Sequence, residues 1–221
     1  DTEVVLGDRV FGKPADAAYS NTMQVFIYRL VAFVGAVITA AVVSAEVDQK
    51  TIVYLLTRPI HRAPLLMART IAAALVTGIV GAGFVIAAAI LYFKAGAFSQ
   101  GVVWRDIGVV FLGAFAYNGV FLLISLLVNK ALMYSLLFAF GWEAFLPNMP
   151  GNLYYASILS HMKGIARHPG VATASPGTVN TALGTEPLVP LQTAWIVILA
   201  VPLVFYALSA WWFTTHEFVP R

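Results

Sequence analysis

Uncharged apolar positions run along this chain in blocks too long for the core of a small soluble fold. The blocks cover 23–45, 70–93, 107–129, 131–146 and 188–215, and all but the fourth reach the roughly 20 residues that a helix needs to cross a bilayer. Within each block the apolar character is continuous rather than alternating. That predicts helices, which satisfy their own backbone groups, and not the strands of a membrane barrel. The fourth block, held between Lys130 and Pro147, is short; the stem of Lys130 extends its reach at one interface, and Glu143 falls near the other. The expected fold is therefore all-α, a polytopic helix bundle with five membrane helices.

Composition supports this class. Apolar residues make up 60% and charged residues 10% of the chain, against about 25% charged in soluble domains, and mean hydropathy is +0.84. The net charge of +3 is small and its basic residues are scattered, so no basic track follows a phosphate backbone and nucleic acid is not an expected partner. Having no cysteine, the chain has no disulfide, thiolate metal site or cysteine nucleophile.

Orientation follows from basic residues close to helix ends. Lys50, Arg58, Arg62 and Arg69 crowd the 46–69 segment between the first two blocks, with Lys130 and Arg221 on the same side. The other side holds Arg9, Lys13, Lys94, Arg105, Lys163 and Arg167 over longer loops, and Arg29 lies inside the first block. Density places 46–69 and the 216–221 tail in the cytoplasm, and 1–22 and the 147–187 loop outside. An outside start without a signal segment, at Asp1 rather than a methionine, is expected to be preceded by a further helix.

In the outer loop, Tyr155, Ile158, Leu159, Met162 and Ile165 recur at helical spacing within Leu153–Ala166. This predicts an amphipathic helix on the outer surface, either resting on its neighbours or gating a pathway. The stretch from His168 to Glu186 is expected to be a loop. No internal repeat divides the chain into inverted halves.

The 46–69 segment carries the most specific pattern. Glu46 and Lys50 stand four apart, the favourable order for a helical ion pair, so a helix is expected to run past the membrane edge. Pro59 biases Arg58 out of the helical region, and Pro64 suits the first turn of the next helix. A solvated hairpin whose arginines meet lipid headgroups is one reading. Ile52, Val53, Leu55 and Leu56 argue for another, in which an apolar patch meets a partner surface.

The string E-x-x-x-K-T-x-x-x-L-L-T-R-P-I-x-R, Glu46 to Arg62, resembles the signature that follows the second helix of ABC-2 type transporter permeases. That signature reads approximately E-x-x-x-G-T-x-x-x-L-L-x-x-P-hydrophobic-x-R. Thr51, Leu55, Leu56, Pro59 and Arg62 match it, whereas Lys50 replaces the usual glycine. The general plan is similar along the whole chain, including the Trp142-Glu143 pair before a Leu-Pro stretch, but only 46–62 is specific. Among subgroups the chain is most similar to small permeases paired with separate ATPase subunits, including the type used in nitrous oxide reductase maturation. The six-helix plan of the family would supply the further helix before Asp1.

The resemblance implies a permease subunit of an exporter in the cell inner membrane, with 23–215 as its transmembrane domain and no enzymatic activity of its own. Its expected partners are a cytoplasmic ABC ATPase, a second permease chain in a homodimer or pseudo-dimer, and membrane lipid. ATP and Mg would bind the ATPase. The sequence agrees in lacking a G-x-x-x-x-G-K-[ST] phosphate loop. Glu46, Lys50, Thr51, Ile52, Leu55, Leu56, Arg58, Pro59 and Arg62 would form the coupling element. A non-transporting scaffold using the same segment to hold a soluble partner is the alternative.

Charge at membrane depth is costly, on the order of 2.5 to 3.5 kcal/mol on insertion scales, which singles out Arg29 and Glu143. They either snorkel to the outer interface or line a pathway or gate, and a pair between them is geometrically open. Ala74, Gly78, Gly81, Ala82 and Gly83 favour close helix packing, and Pro202 can kink the last helix. The five tryptophans fall near helix ends as interface anchors. His161 and His168 lack nearby cysteine or carboxylate in sequence, so no metal site is expected. Ser157, Ser160 and His161 lack the elbow and carboxylate of a hydrolase.

Overall fold

The structure, a computed structural model, describes residues 5–6, 9–10, 14–48, 62–128, 130–148, 152–168, 178–181 and 184–215. The first helix, α1 (14–48), begins ahead of the apolar block that announces it. Pro14–Thr22 is α-helical, Met23–Ile27 forms a π-helical turn, and Tyr28–Asp48 continues the rod. Proline suits a first helical turn and Asp16 suits the positive end of the helix dipole. Tyr19, Ser20 and Gln24 break the apolar run but are buried by protein, so they interrupt the pattern and not the helix.

Next come α2 (Arg62–Phe93), prolonged by a 3-10 turn at Lys94–Ser99, and α3 (Gly101–Leu127). The short α4 (131–145) consists of Ala131–Leu137, a π-helical turn at Phe138–Trp142 and Glu143–Phe145. After 3-10 turns at Leu146–Asn148 and Leu153–Ala156 come α5 (Ile158–Ala166) and α6 (Leu191–Thr215). Among the described residues four helices are long and apolar enough to cross a membrane: Ala15–Val42, Pro64–Ser99, Gly101–Leu127 and Leu191–Trp212. Ala131–Phe145 is apolar but shorter, as its bounding lysine and proline predict. The bundle is all-α in class, with two small antiparallel ribbons among the described residues, Val5–Leu6 against Arg9–Val10 and Thr178–Thr181 against Gly184–Pro187. The second ribbon occupies part of the stretch expected to be a loop.

Small residues decide how closely the rods approach. Along α2 the buried positions include Ala73, Ala74, Thr77, Ala82, Val85, Ala88 and Ala89, one face of the helix. A Cβ at Gly78 would sit 2.4 Å from Phe111, and one at Gly81 would sit 2.5 Å from Val110, so α3 lies against α2 at a distance only glycine permits. Gly83 faces open space instead, and its expected packing role does not materialise. α3 is the hub: it contacts α1, α2, α5 and α6. A polar knot ties three rods at its middle, where Thr39 donates to Asn118 Oδ1 while Asn118 Nδ2 donates to Thr77 Oγ1 at 3.3 Å and to the Ala114 carbonyl at 2.7 Å. All three side chains are fully buried, and each donor finds an acceptor, as an apolar surround demands.

Candidate functional site

The end of the bundle remote from the end of α1 brings together the start of α1, the end of α2, the start of α3 and the residues after α5. Asp106, one turn into α3, is completely buried there. Tyr19 Oη donates to its Oδ2 at 2.8 Å and Tyr28 Oη to its Oδ1 at 2.9 Å. His168 Nε2 lies 3.1 Å from Oδ1 and 3.0 Å from Tyr28 Oη. Because the single phenolic proton of Tyr28 is spent on Asp106, Nε2 must carry the hydrogen, shared between two oxygens. In the neutral ring Nδ1 then accepts from Ser20 Oγ, 3.3 Å away. One carboxylate thus gathers donors from α1 and from the segment following α5.

A second buried carboxylate sits at the other end of α5. Glu143 accepts from Ser157 Oγ at 2.6 Å and from the backbone N–H groups of Ile158 and Leu159 at 3.0 Å each. Ser157 is the N-cap, and its Oγ accepts from the Ser160 N–H at 3.3 Å. The first three amides of α5 are therefore all satisfied, and negative charge lies against the positive end of the helix. Trp142 Nε1 adds a bond to the Ala156 carbonyl at 3.2 Å. All nine residues of α5 are buried. The amphipathic helix expected on the surface is present but enclosed, with Ser157 Oγ and His161 Nδ1 bonded to protein neighbours rather than to solvent. At its far end Arg167 adopts the left-handed conformation (φ 41°) and donates its N–H to the Lys163 carbonyl at 3.0 Å, a helix stop more common for glycine.

Arg29 and Glu143 do not form an ion pair. The Glu143 oxygens are occupied as described, and the buried Nε and Nη2 of Arg29 have no hydrogen-bond partner. Tyr117 Oη lies beside Glu143 without a well-aligned bond. His161 donates Nδ1–H to the Ser157 carbonyl at 2.7 Å, and its buried Nε2 is unpartnered; burial holds this imidazole below the ordinary histidine range. His161 and His168 therefore belong to different surroundings. Among the described residues no three His, Cys, Asp or Glu side chains converge as metal ligands would.

Lys50, Thr51, Ile52, Leu55, Leu56, Arg58 and Pro59 lie outside the described residues, while Glu46 falls within the last turns of α1 and Arg62 begins α2. Sequence reasoning missed the Asp106 cluster, because Asp106 served only to mark where an apolar block begins. A charged residue immediately before a long apolar run, with Tyr19 and Ser20 just ahead of the first apolar block and Tyr28 within it, was the available signal.

No curated protein and no solved structure matches the chain. The family model described as ABC-2 family transporter protein matches residues 3–218. With nearly every residue inside that match, four membrane-length helices among the described residues and the signature-like string between α1 and α2, the chain belongs to the ABC-2 transporter family, as a permease.

Proposed function

We propose that this permease exports its substrate across the cell inner membrane as a multi-pass subunit, driven by ATP that a separate cytoplasmic ABC ATPase hydrolyses with Mg. Permeases of the family generally pair with such an ATPase. The observation that carries the reading is the string Glu46 to Arg62, located between two membrane-length helices, where a moving partner would act directly on both rods. Ile52, Leu55 and Leu56 fill a groove of the ATPase, Arg58 and Arg62 meet its acidic or carbonyl groups, and Pro59 sets the bend. Glu46, Lys50 and Thr51 complete the element. Closure of the ATPase dimer then moves α1 and α2 together against the hub helix. A second copy of the permease completes the pathway, and its apolar contact falls on faces such as that of α6, where Leu199, Leu203 and Val204 are exposed. Arg29, half-buried on α1 with its Nε and Nη2 unpartnered, is the pathway candidate, and Glu143 positions α5.

Affinity purification of the intact protein tests this. An ATPase bearing a phosphate loop is expected to co-purify, with ATP turnover lowered by Pro59→Ala or Arg62→Glu while the complex persists. Normal turnover in both variants would refute coupling through this segment.

A further inference from the structure

Arg29 sits deeper in the bundle than its place in the apolar block suggests. The first span runs from Ala15 to Val42, so Arg29 falls near its middle, with about 20 Å of helix on either side at the α-helical rise. Val31, two residues on, would lie 3.2 Å from a Cβ at Gly81, and Gly81 is near the middle of the Pro64–Ser99 span. Two separate markers thus put the guanidinium at mid-depth, too far from the outer interface for its stem to snorkel there.

A charge at that depth needs a partner. Yet the Nε and Nη2 atoms of Arg29 are buried and make no hydrogen bond. They are the two donors along one edge of the guanidinium, the edge whose parallel N–H groups fit both oxygens of a single oxyanion. The buried acids of the bundle are spent elsewhere: Asp106 on Tyr19, Tyr28 and His168, and Glu143 on Ser157 and the first amides of α5. Tyr117, fully buried on α3, lies in the field of Arg29, and its hydroxyl is likewise unpartnered. That phenol can donate to the same acceptor. The approach is from the outer face of α1, since Arg29 is only half-buried and Phe26 and Phe33, about one turn to either side, are exposed.

We propose that Arg29, with Tyr117 beside it, binds an oxyanion, a phosphate or carboxylate group, and that the substrate of this permease is therefore anionic. The transport reading is needed only for the bound group to be cargo; binding itself is measurable without transport. The group arrives as a free anion or as the headgroup phosphate of a lipid, and both present the same pair of oxygens.

The intact permease in uncharged maltoside micelles is titrated, at constant ionic strength, with inorganic phosphate and with hexyl phosphate. Thermal unfolding reads occupancy, because a ligand that binds only the folded chain raises the midpoint. Without anion, Arg29→Gln is expected to unfold at or above the wild-type temperature, since it removes a buried charge that has no partner. With anion, wild type is expected to overtake it. Arg29→Gln should weaken binding at least about tenfold and Tyr117→Phe about fivefold, with Arg29→Lys between wild type and Gln because it keeps the charge and loses the fork. A response to inorganic phosphate assigns a free anion as cargo, and a response to hexyl phosphate alone assigns a lipid phosphate. No response to either probe in wild type, or the same response in Arg29→Gln, overturns the site. So does an Arg29→Gln chain that fails to fold or is less stable than wild type without anion, because the guanidinium would then be paired already, within this chain or across a permease dimer. ATP turnover separates the two claims: anion binding with no partner ATPase keeps the site and sinks the transport reading, whereas a coupled ATPase on a permease that binds neither probe does the reverse.

Discussion

α3 and α6 look alike as strings of letters and behave as opposites in the bundle. Their most apolar windows have hydropathy 2.2 and 2.1, yet 61% of the α3 window is buried inside the protein and only 17% of the α6 window. The difference lies in the residues that interrupt the apolar run. α3 carries Asp106, Gly113, Asn118 and Gly119, each facing a neighbour: the carboxylate its three donors, Gly113 the Met162 side chain, Asn118 the knot with Thr39 and Thr77, and Gly119 the Pro202 turn of α6. α6 offers mainly large apolar side chains, the buried hydroxyls of its Tyr206 and Ser209 find no partner, and it presents Ile196, Leu203 and Trp211 outward. In a medium as apolar as the core itself, hydrophobicity does not choose between neighbours and lipid; hydrogen bonds and close approach do.

The contrast yields ranked predictions. Asp106→Ala leaves two buried phenols and an imidazole without their acceptor and is expected to cost about 3 to 5 kcal/mol, read as a fall in thermal unfolding temperature in detergent; Leu203→Ala on α6 should change the same reading by less than about 0.5 kcal/mol. Equal effects would erase the distinction between the two helices. Gly81→Val and Gly78→Leu overpack the α2–α3 contact and should cost about 1 to 3 kcal/mol each. Gly83→Val, two residues along but facing open space, is the control and should be neutral.

Asn118→Ala removes the knot and should cost about 1 kcal/mol, in keeping with modest interhelical hydrogen bonds in membranes; equilibrium unfolding in mixed micelles reads it. The smallest effect is acid sensitivity at α5. Burial lowers the His161 pKa in the folded chain, so the unfolded chain, near its ordinary value of about 6.5, takes the proton first. Stability contributed by neutral His161 is full above that value and declines as pH falls through it. His161→Gln should flatten the pH profile of unfolding between about pH 7.5 and 5.5, and an unaltered profile would assign the acid sensitivity elsewhere.

The membrane-length helices were legible because continuous apolar runs admit no other economical backbone arrangement in lipid, and even the brevity of α4 followed from Lys130 and Pro147. The true start of α1 was hidden, since Tyr19 and Ser20 read as a polar boundary until their partners are known. The periodicity of α5 was visible, but not its enclosure: Ser157 and His161 look solvent-facing in a sequence, and only the fold shows them bonded to Glu143 and to the helix's own first turn. The pairing of Asp106 with His168 spans a separation in sequence that no local spacing encodes. The ribbon at Thr178–Pro187 lacks an Asn-Gly or Asp-Gly turn, the strongest short-range hairpin signal.

The central claim is that the segment between α1 and α2 engages an ATP-hydrolysing partner on the cytoplasmic side. A photo-reactive amino acid at Leu55, irradiated in cells, tests it most directly. The account predicts a cross-linked adduct whose second component carries a phosphate-loop motif, lost when Arg62 is changed to Glu. Cross-links to lipid alone, or labelling of position 55 by a membrane-impermeant reagent from outside intact cells, would contradict it.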